Sequence, residues 1–134
     1  MSTVKAYIAG PVTGLPDGNK HMFAAAAKWL RENTPWDVVS PLEMDSPEEF
    51  AATMTDHYGS VYWQRMVHDF KTVIEVDALV LLPEWQRSKG AKIEVFAALS
   101  LGKRFYSWDF DQGGTAFGAI HPSTIRDILR ENLP

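Results

Sequence analysis

Residues 77–82 read Asp77-Ala78-Leu79-Val80-Leu81-Leu82, an unbroken apolar run behind a single acid. No polar side chain alternates with the apolar ones. Such a segment has to be covered on both faces, the pattern of a strand inside a parallel sheet with helices on either side. On its C-terminal side, Pro83 to Gly90 form a turn, and residues 91–101 predict a helix with Gly102 in the usual stop position. Arg104 to Trp108 follow as another strand, and Ser123 to Asn132 predict a closing helix. On its N-terminal side, Ser60 to Glu75 predict a long helix with Trp63, Val67, Phe70 and Ile74 on the buried face. Ser46-Pro47-Glu48-Glu49 reads as a helix start, with Ser as cap and Pro at the first position. Further out lie a short strand at Trp36 to Val39 and a helix at Lys20 to Arg31. In that helix Phe23, Ala26, Ala27 and Leu30 share one face. Val4 to Ala9 make the first strand, closed by Gly10-Pro11 and a turn-rich stretch from Thr13 to Asn19.

Strands separated by helices predict an α/β protein: a single-domain, Rossmann-like parallel sheet of four to five strands flanked by helices, with the 77–82 strand central. Residues 109–121 (DFDQGGTAFGAIH) read as a loop at an interface or pocket rim. No repeat or linker divides the chain, so residues 1–134 are taken as one domain. At 134 residues, with 46% hydrophobic and 22% charged side chains, the chain is long enough to bury a real core. The net charge of −4 argues against a duplex nucleic-acid binder, which needs cations for phosphates. There are no cysteines, which excludes disulfides, thiolate metal sites and cysteine nucleophiles. No apolar run reaches the roughly 18 residues of a membrane span, and no leader pattern opens the chain. A soluble, cytoplasmic protein is expected.

Ligands of open α/β sheets sit at the carboxyl ends of the strands, so the loops after Ala9, Val39, Leu82 and Trp108 are the places to look. After Leu82 the chain leaves a strand, turns, and enters a helix at Ser88-Lys89-Gly90. Free backbone N–H groups and the positive helix end make an anion site there, and these residue types suit a phosphate. Read by itself, this stretch is equally a plain helix-start turn capped by Ser88. Glu94 falls about one turn into the same helix, amid Ile93, Val95, Phe96, Ala97, Ala98 and Leu99. An ionised carboxylate at that edge can attack a sugar carbon, although acids also decorate first turns without any such role. Asp69 reads as a surface acid and Asp77 as a structural cap. Tyr7 is a core residue or a hydroxyl that orients a carboxylate. Trp29 and Trp63 fit core faces, while Trp85 lies in the loop and can stack on a base. The histidines at 21, 57, 68 and 121 lack metal-site spacing, and no G-x-S-x-G elbow is present. Neither a metal nor a cofactor is expected.

Taken together, Tyr7-Ile8-Ala9-Gly10-Pro11, Asp69 with Asp77 eight residues later, and Ser88-x-Gly90-x-x-x-Glu94 resemble the nucleoside 2-deoxyribosyltransferase superfamily. That superfamily includes 2′-deoxynucleoside 5′-monophosphate N-glycosidases and a branch of small phage and prophage proteins. The stretches YIAGPVTGLPD and VDALVLLPEWQRSKGAKIEVFAALSLGK look most like the phage branch, and the resemblance covers roughly residues 4 to 107. It implies Glu94 as the nucleophile at C1′, Tyr7 as the residue holding it, and Asp69 as the acid facing the nucleobase. Gly10, Pro11, Ser88, Lys89, Gly90 and Trp85 become the expected substrate contacts. It also implies a homodimer or higher homo-oligomer whose sites are completed by a neighbouring subunit, from a segment near residues 107 to 118. Two departures matter. The transferases carry an acid where this chain has Ser88, which favours a phosphate-bearing substrate. The first loop lacks the arginine pattern of the hydrolases, which leaves Lys20 or backbone to serve. Hydrolysis of a nucleoside monophosphate is therefore expected ahead of base exchange. A nucleotide-binding module without turnover and a purely structural oligomer are the readings from other classes.

Overall fold

Ala78, Leu79, Val80 and Leu81 are all buried, and they form the middle strand of a five-stranded sheet. The computed structural model describes residues 3–12, 15–43 and 60–132, with 60–67 described by backbone alone. The expected helix start at Ser46 lies outside these residues. The elements are β1 (Lys5–Ala9), α1 (Lys20–Asn33), β2 (Asp37–Val39), α2 (Ser60–Glu75), β3 (Ala78–Leu81), α3 (Lys89–Ser100), β4 (Arg104–Asp111), β5 (Gly114–Ile120) and α4 (Pro122–Glu131). Strand order is β2-β1-β3-β4-β5. β1 pairs parallel with β2 and β3, and β3 pairs parallel with β4. The α/β class, the single small domain and the central 77–82 strand therefore hold.

Side chains alternate along each strand, so every inner strand feeds two cores. Ala6, Ile8, Ala78, Val80 and Leu82 face α1, where Phe23, Ala26, Ala27 and Leu30 complete one cluster. These are the same four α1 residues whose spacing predicts a common face. Tyr7, Ala9, Leu79 and Leu81 point the other way. They pack with Val73 of α2, with Ala91, Val95 and Ala98 of α3, and with Ile125 and Leu129 of α4. Asp77 ties the sheet together at its base: its Oδ2 accepts from the Lys5 N–H at 2.9 Å, and its own N–H donates to the Lys5 carbonyl.

Two expectations need correction. Residues 109–121 are not a loop: β4 continues to Asp111, and Gly114–Ile120 return as β5, antiparallel to β4 from Phe105↔Ile120 to Asp111↔Gly114. The hairpin is held by rings rather than by aliphatic alternation. Phe117 lies 5.5 Å from Tyr106 and 5.2 Å from Trp29, and Trp36 lies 4.8 Å from Tyr106. Such contacts stabilise the strand although glycines weaken it. The second correction concerns α2. Ile74 is 55% exposed and Phe70 is half-buried, while Asp69, Val73 and Val76 are buried. Over residues 68–75 the inner face is thus rotated by about one residue, roughly 100°, and an acid occupies it; Trp63 and Val67 lie outside the described side chains.

Candidate active site

β1 connects to β2 through α1 on one face of the sheet, whereas β3 connects to β4 through α3 on the other. The two crossovers leave neighbouring strands in opposite directions. Between β1 and β3 is therefore the switch point of the sheet, where an open α/β fold receives its ligand. The loops flanking this point are Gly10–Asn19 and Leu82–Ser88.

The first loop begins under tight packing. A Cβ placed on Gly10 would lie 2.9 Å from the Leu82 Cβ and 3.0 Å from its Cδ1, so glycine lets β1 end against the neighbouring chain. Gly10→Ala should lower unfolding stability by about 1–3 kcal/mol, the usual range for overpacking. Denaturant melts check this; an unchanged midpoint would mean that Leu82 yields freely. Pro11 is buried, and its carbonyl accepts from Asn19 Nδ2 at 3.0 Å, which pins the two ends of the loop together. Asp17, Gly18 and Asn19 all adopt left-handed backbone (φ 52, 63 and 64) just before α1. Asn19 makes no side-chain cap, and the N–H of Lys20, the first residue of α1, donates instead to the Asp17 carbonyl.

The second loop carries the expected phosphate residues. Glu84 is left-handed (φ 67) and holds Arg87 in an ion pair at 2.9 Å. Ser88 caps α3, its Oγ accepting from the Ala91 N–H at 3.2 Å. The capping role is therefore real, and it leaves the hydroxyl proton available to a ligand. Lys89 and Gly90 occupy the first two helical positions, whose N–H groups have no acceptor within the helix. Nothing lies within 4 Å of a Cβ built on Gly90, so the backbone there is open to approach. Trp85 differs from expectation. It is 6% exposed and sits in the cluster with Tyr7, Ala91 and Val95. Its ring is a floor beneath the loop, because the turn at Glu84 directs it inward, and it offers little face for a base to stack on.

Tyr7, Asp69 and Glu94 come from β1, α2 and α3, which pack on one another on a single face of the sheet. All three are buried, at 0%, 9% and 8% exposure. Their heights along the sheet follow from element geometry. Glu94 lies five residues below the start of α3, about 7.5 Å at 1.5 Å per residue. α2 rises toward the carboxyl edge as it is traced back from Glu75, so Asp69 stands about 9 Å above the helix end. That matches three residues of β3 and brings Asp69 level with Leu81. Tyr7 is in register with Leu79, two residues below. Glu94 is thus an inward-facing acid, since its neighbours Ala91, Val95 and Ala98 share the buried side of α3. Burying two carboxylates on one face costs stability that an apolar pair would not, and such cost accumulates at functional sites. Among the described residues no group of three or more His, Asp or Glu side chains could hold a metal ion. No helix among them is long and apolar enough to cross a membrane.

The fold is an α/β, Rossmann-like sheet that buries Tyr7, Asp69 and Glu94 on one face. Residues 4–106 match the family described as a domain of unknown function, DUF4406, and the chain belongs to that family. The match runs from β1 into β4 and so includes both loops and Tyr7, Asp69 and Glu94. No curated protein matches the chain.

Proposed function

We propose that the protein is an N-glycosidase that cleaves the base–sugar bond of a (deoxy)nucleoside 5′-monophosphate through a covalent glycosyl-Glu94 intermediate. The observation that carries this reading is the buried placement of Glu94, Asp69 and Tyr7 on one face beside the switch point. The Glu94 carboxylate attacks C1′, the C1′–N bond breaks, and its electron pair leaves with the base, which takes a proton from Asp69. Water then attacks C1′, Asp69 accepts its proton, and the C1′–O bond to Glu94 breaks. Tyr7 orients the carboxylate. Lys89, Gly90 and Ser88 at the α3 start receive the 5′-phosphate, with Gly10, Pro11 and Lys20 on the other side of the crevice. This is nucleotide chemistry without a cofactor, suited to a soluble cytoplasmic protein, and the resemblance to small phage proteins fits it.

The test is incubation with a panel of nucleoside monophosphates and chromatography for released base. Release of free base and sugar phosphate supports hydrolysis. Adding a second free base separates hydrolysis from transfer, since a transferase would yield the exchanged nucleotide or nucleoside. Binding without release would leave a nucleotide-binding module. Asp69→Asn should slow poor leaving bases most, by on the order of a hundredfold or more, as loss of general-acid catalysis does. Tyr7→Phe should cost less, because only an orienting hydroxyl is lost. Steady-state kinetics on bases of graded leaving ability check both; equal losses across the series would remove Asp69 from the acid role. The resemblance also implies shared sites in a homodimer or larger assembly, and a monomer by light scattering at micromolar protein would count against them.

A further inference from the structure

α4 lies beyond the matched family segment, which ends at residue 106, and it is short. Its ten residues bring two buried anchors, Ile125 and Leu129, to the cluster of Tyr7, Ala91 and Val95. A helix of this length is marginal by itself in water, so its ends decide how firmly it stays in place. The far end is tied to α3, where the Lys92 ammonium donates to the Asn132 carbonyl at 3.1 Å.

The near end depends on one imidazole. The first turn of a helix leaves N–H groups without helical acceptors. Pro122 has no N–H to satisfy, and those of Thr124 and Ile125 donate to the His121 carbonyl at 3.0 and 3.4 Å. That leaves Ser123. Its N–H donates to His121 Nδ1 at 3.1 Å, and its Oγ lies 2.8 Å from the same nitrogen. Only a neutral ring, with its proton on Nε2, accepts there. Once protonated, Nδ1 can donate to the Ser123 Oγ, but the Ser123 N–H loses its acceptor. A positive charge then also stands at the positive end of the helix dipole.

The groups around the ring offer that charge no partner. Lys103 and Arg104, from the turn before β4 and from its first residue, line a groove together with His121, and both are cations. β5 brings no charge, and among the described residues no acid lines the groove. On α4 itself the nearest charges are Arg126 and Asp127, which pair with each other at 3.7 Å. Histidine is the side chain that changes charge between pH 5 and 8. We propose that His121 is a proton-sensitive latch for α4, holding the helix on α3 in neutral solution and loosening it in acid. Because α3 carries Ser88 and Glu94, loosening uncovers the flank of the helix on which the candidate site is built. The latch does not depend on the proposed activity.

Amide hydrogen exchange on the full chain, read at pH 8 and pH 5 and corrected for intrinsic rates, tests it. From pH 8 to pH 5, protection over residues 125–129 should fall about fivefold more than protection in α1, the size of a lost cap. His121→Asn and His121→Ser each keep a cap that does not titrate, so in them the extra fall should vanish. His121→Ala should show the weakened α4 at both pH values. Equal protection of wild-type α4 at the two pH values, or the same fall in the Asn and Ser variants, would overturn the proposal.

Discussion

Glu94→Ala is expected to cut turnover on nucleoside monophosphates by on the order of a thousandfold or more, with folding and nucleotide binding kept. The size follows from the role. In a double displacement the carboxylate supplies the bond that replaces the departing base, and no other described side chain on that helix face offers an oxygen. The neighbours of Glu94 that face inward are Ala91, Val95 and Ala98. Removing a buried acid lifts a desolvation cost but leaves a cavity and a buried partner unsatisfied, so the variant should lose about 1–3 kcal/mol of stability. Far-UV circular dichroism at the assay temperature therefore separates a lost nucleophile from a lost fold. Mass spectrometry on wild type with a slow 2-fluoro substrate should find a sugar-phosphate adduct on Glu94. Full activity in Glu94→Ala would end the covalent mechanism whatever the panel of substrates shows.

What could be read from the sequence tracks how locally each feature is encoded. β3 and the inner face of α1 were legible because burial on two faces and a 3.6-residue period each leave an unambiguous pattern. The inner face of α2 was not. Asp69 interrupts its apolar stripe, so the eye follows Phe70 and Ile74 onto the neighbouring face, although Val73 and Val76 are the buried pair. The buried acid and the rotated inner face of the helix have the same cause. β5 was hidden for a different reason: Gly114 and Gly118 and the small Ala116 and Ala119 give little alternation, and the strand is held by Phe117 against rings from β4, α1 and the Trp36 segment. Ser88 was legible as a cap and as a ligand residue, and the cap is what the hydrogen bond to Ala91 confirms. That Asp69 is buried had no local signal at all, since it depends on how α2 packs on the sheet.

A monophosphate is expected to bind roughly two to four decades more tightly than the corresponding nucleoside. The α3 start offers the N–H groups of Lys89 and Gly90, the Ser88 hydroxyl proton, the Lys89 ammonium and the positive end of a 12-residue helix. Charge-assisted hydrogen bonds contribute about 1.5–3 kcal/mol each. Two of them alone give the stated range, at about 1.4 kcal/mol per decade. Ser88→Asp is the discriminating variant, because Asp caps a helix as well as Ser and so keeps the bond to the Ala91 N–H. What changes is the charge facing the phosphate, so the monophosphate should be rejected while the fold survives and the free nucleoside is spared. Gly90→Ala offers an independent check. The added Cβ meets no protein atom, so thermal stability should hold or rise, yet the methyl group stands where the backbone is open to a ligand. Calorimetry with thymidine and its monophosphate reads both variants, and inorganic phosphate should compete with the nucleotide alone. Equal affinity of wild type for nucleoside and monophosphate would defeat the hydrolase reading and return base exchange on free nucleosides to first place.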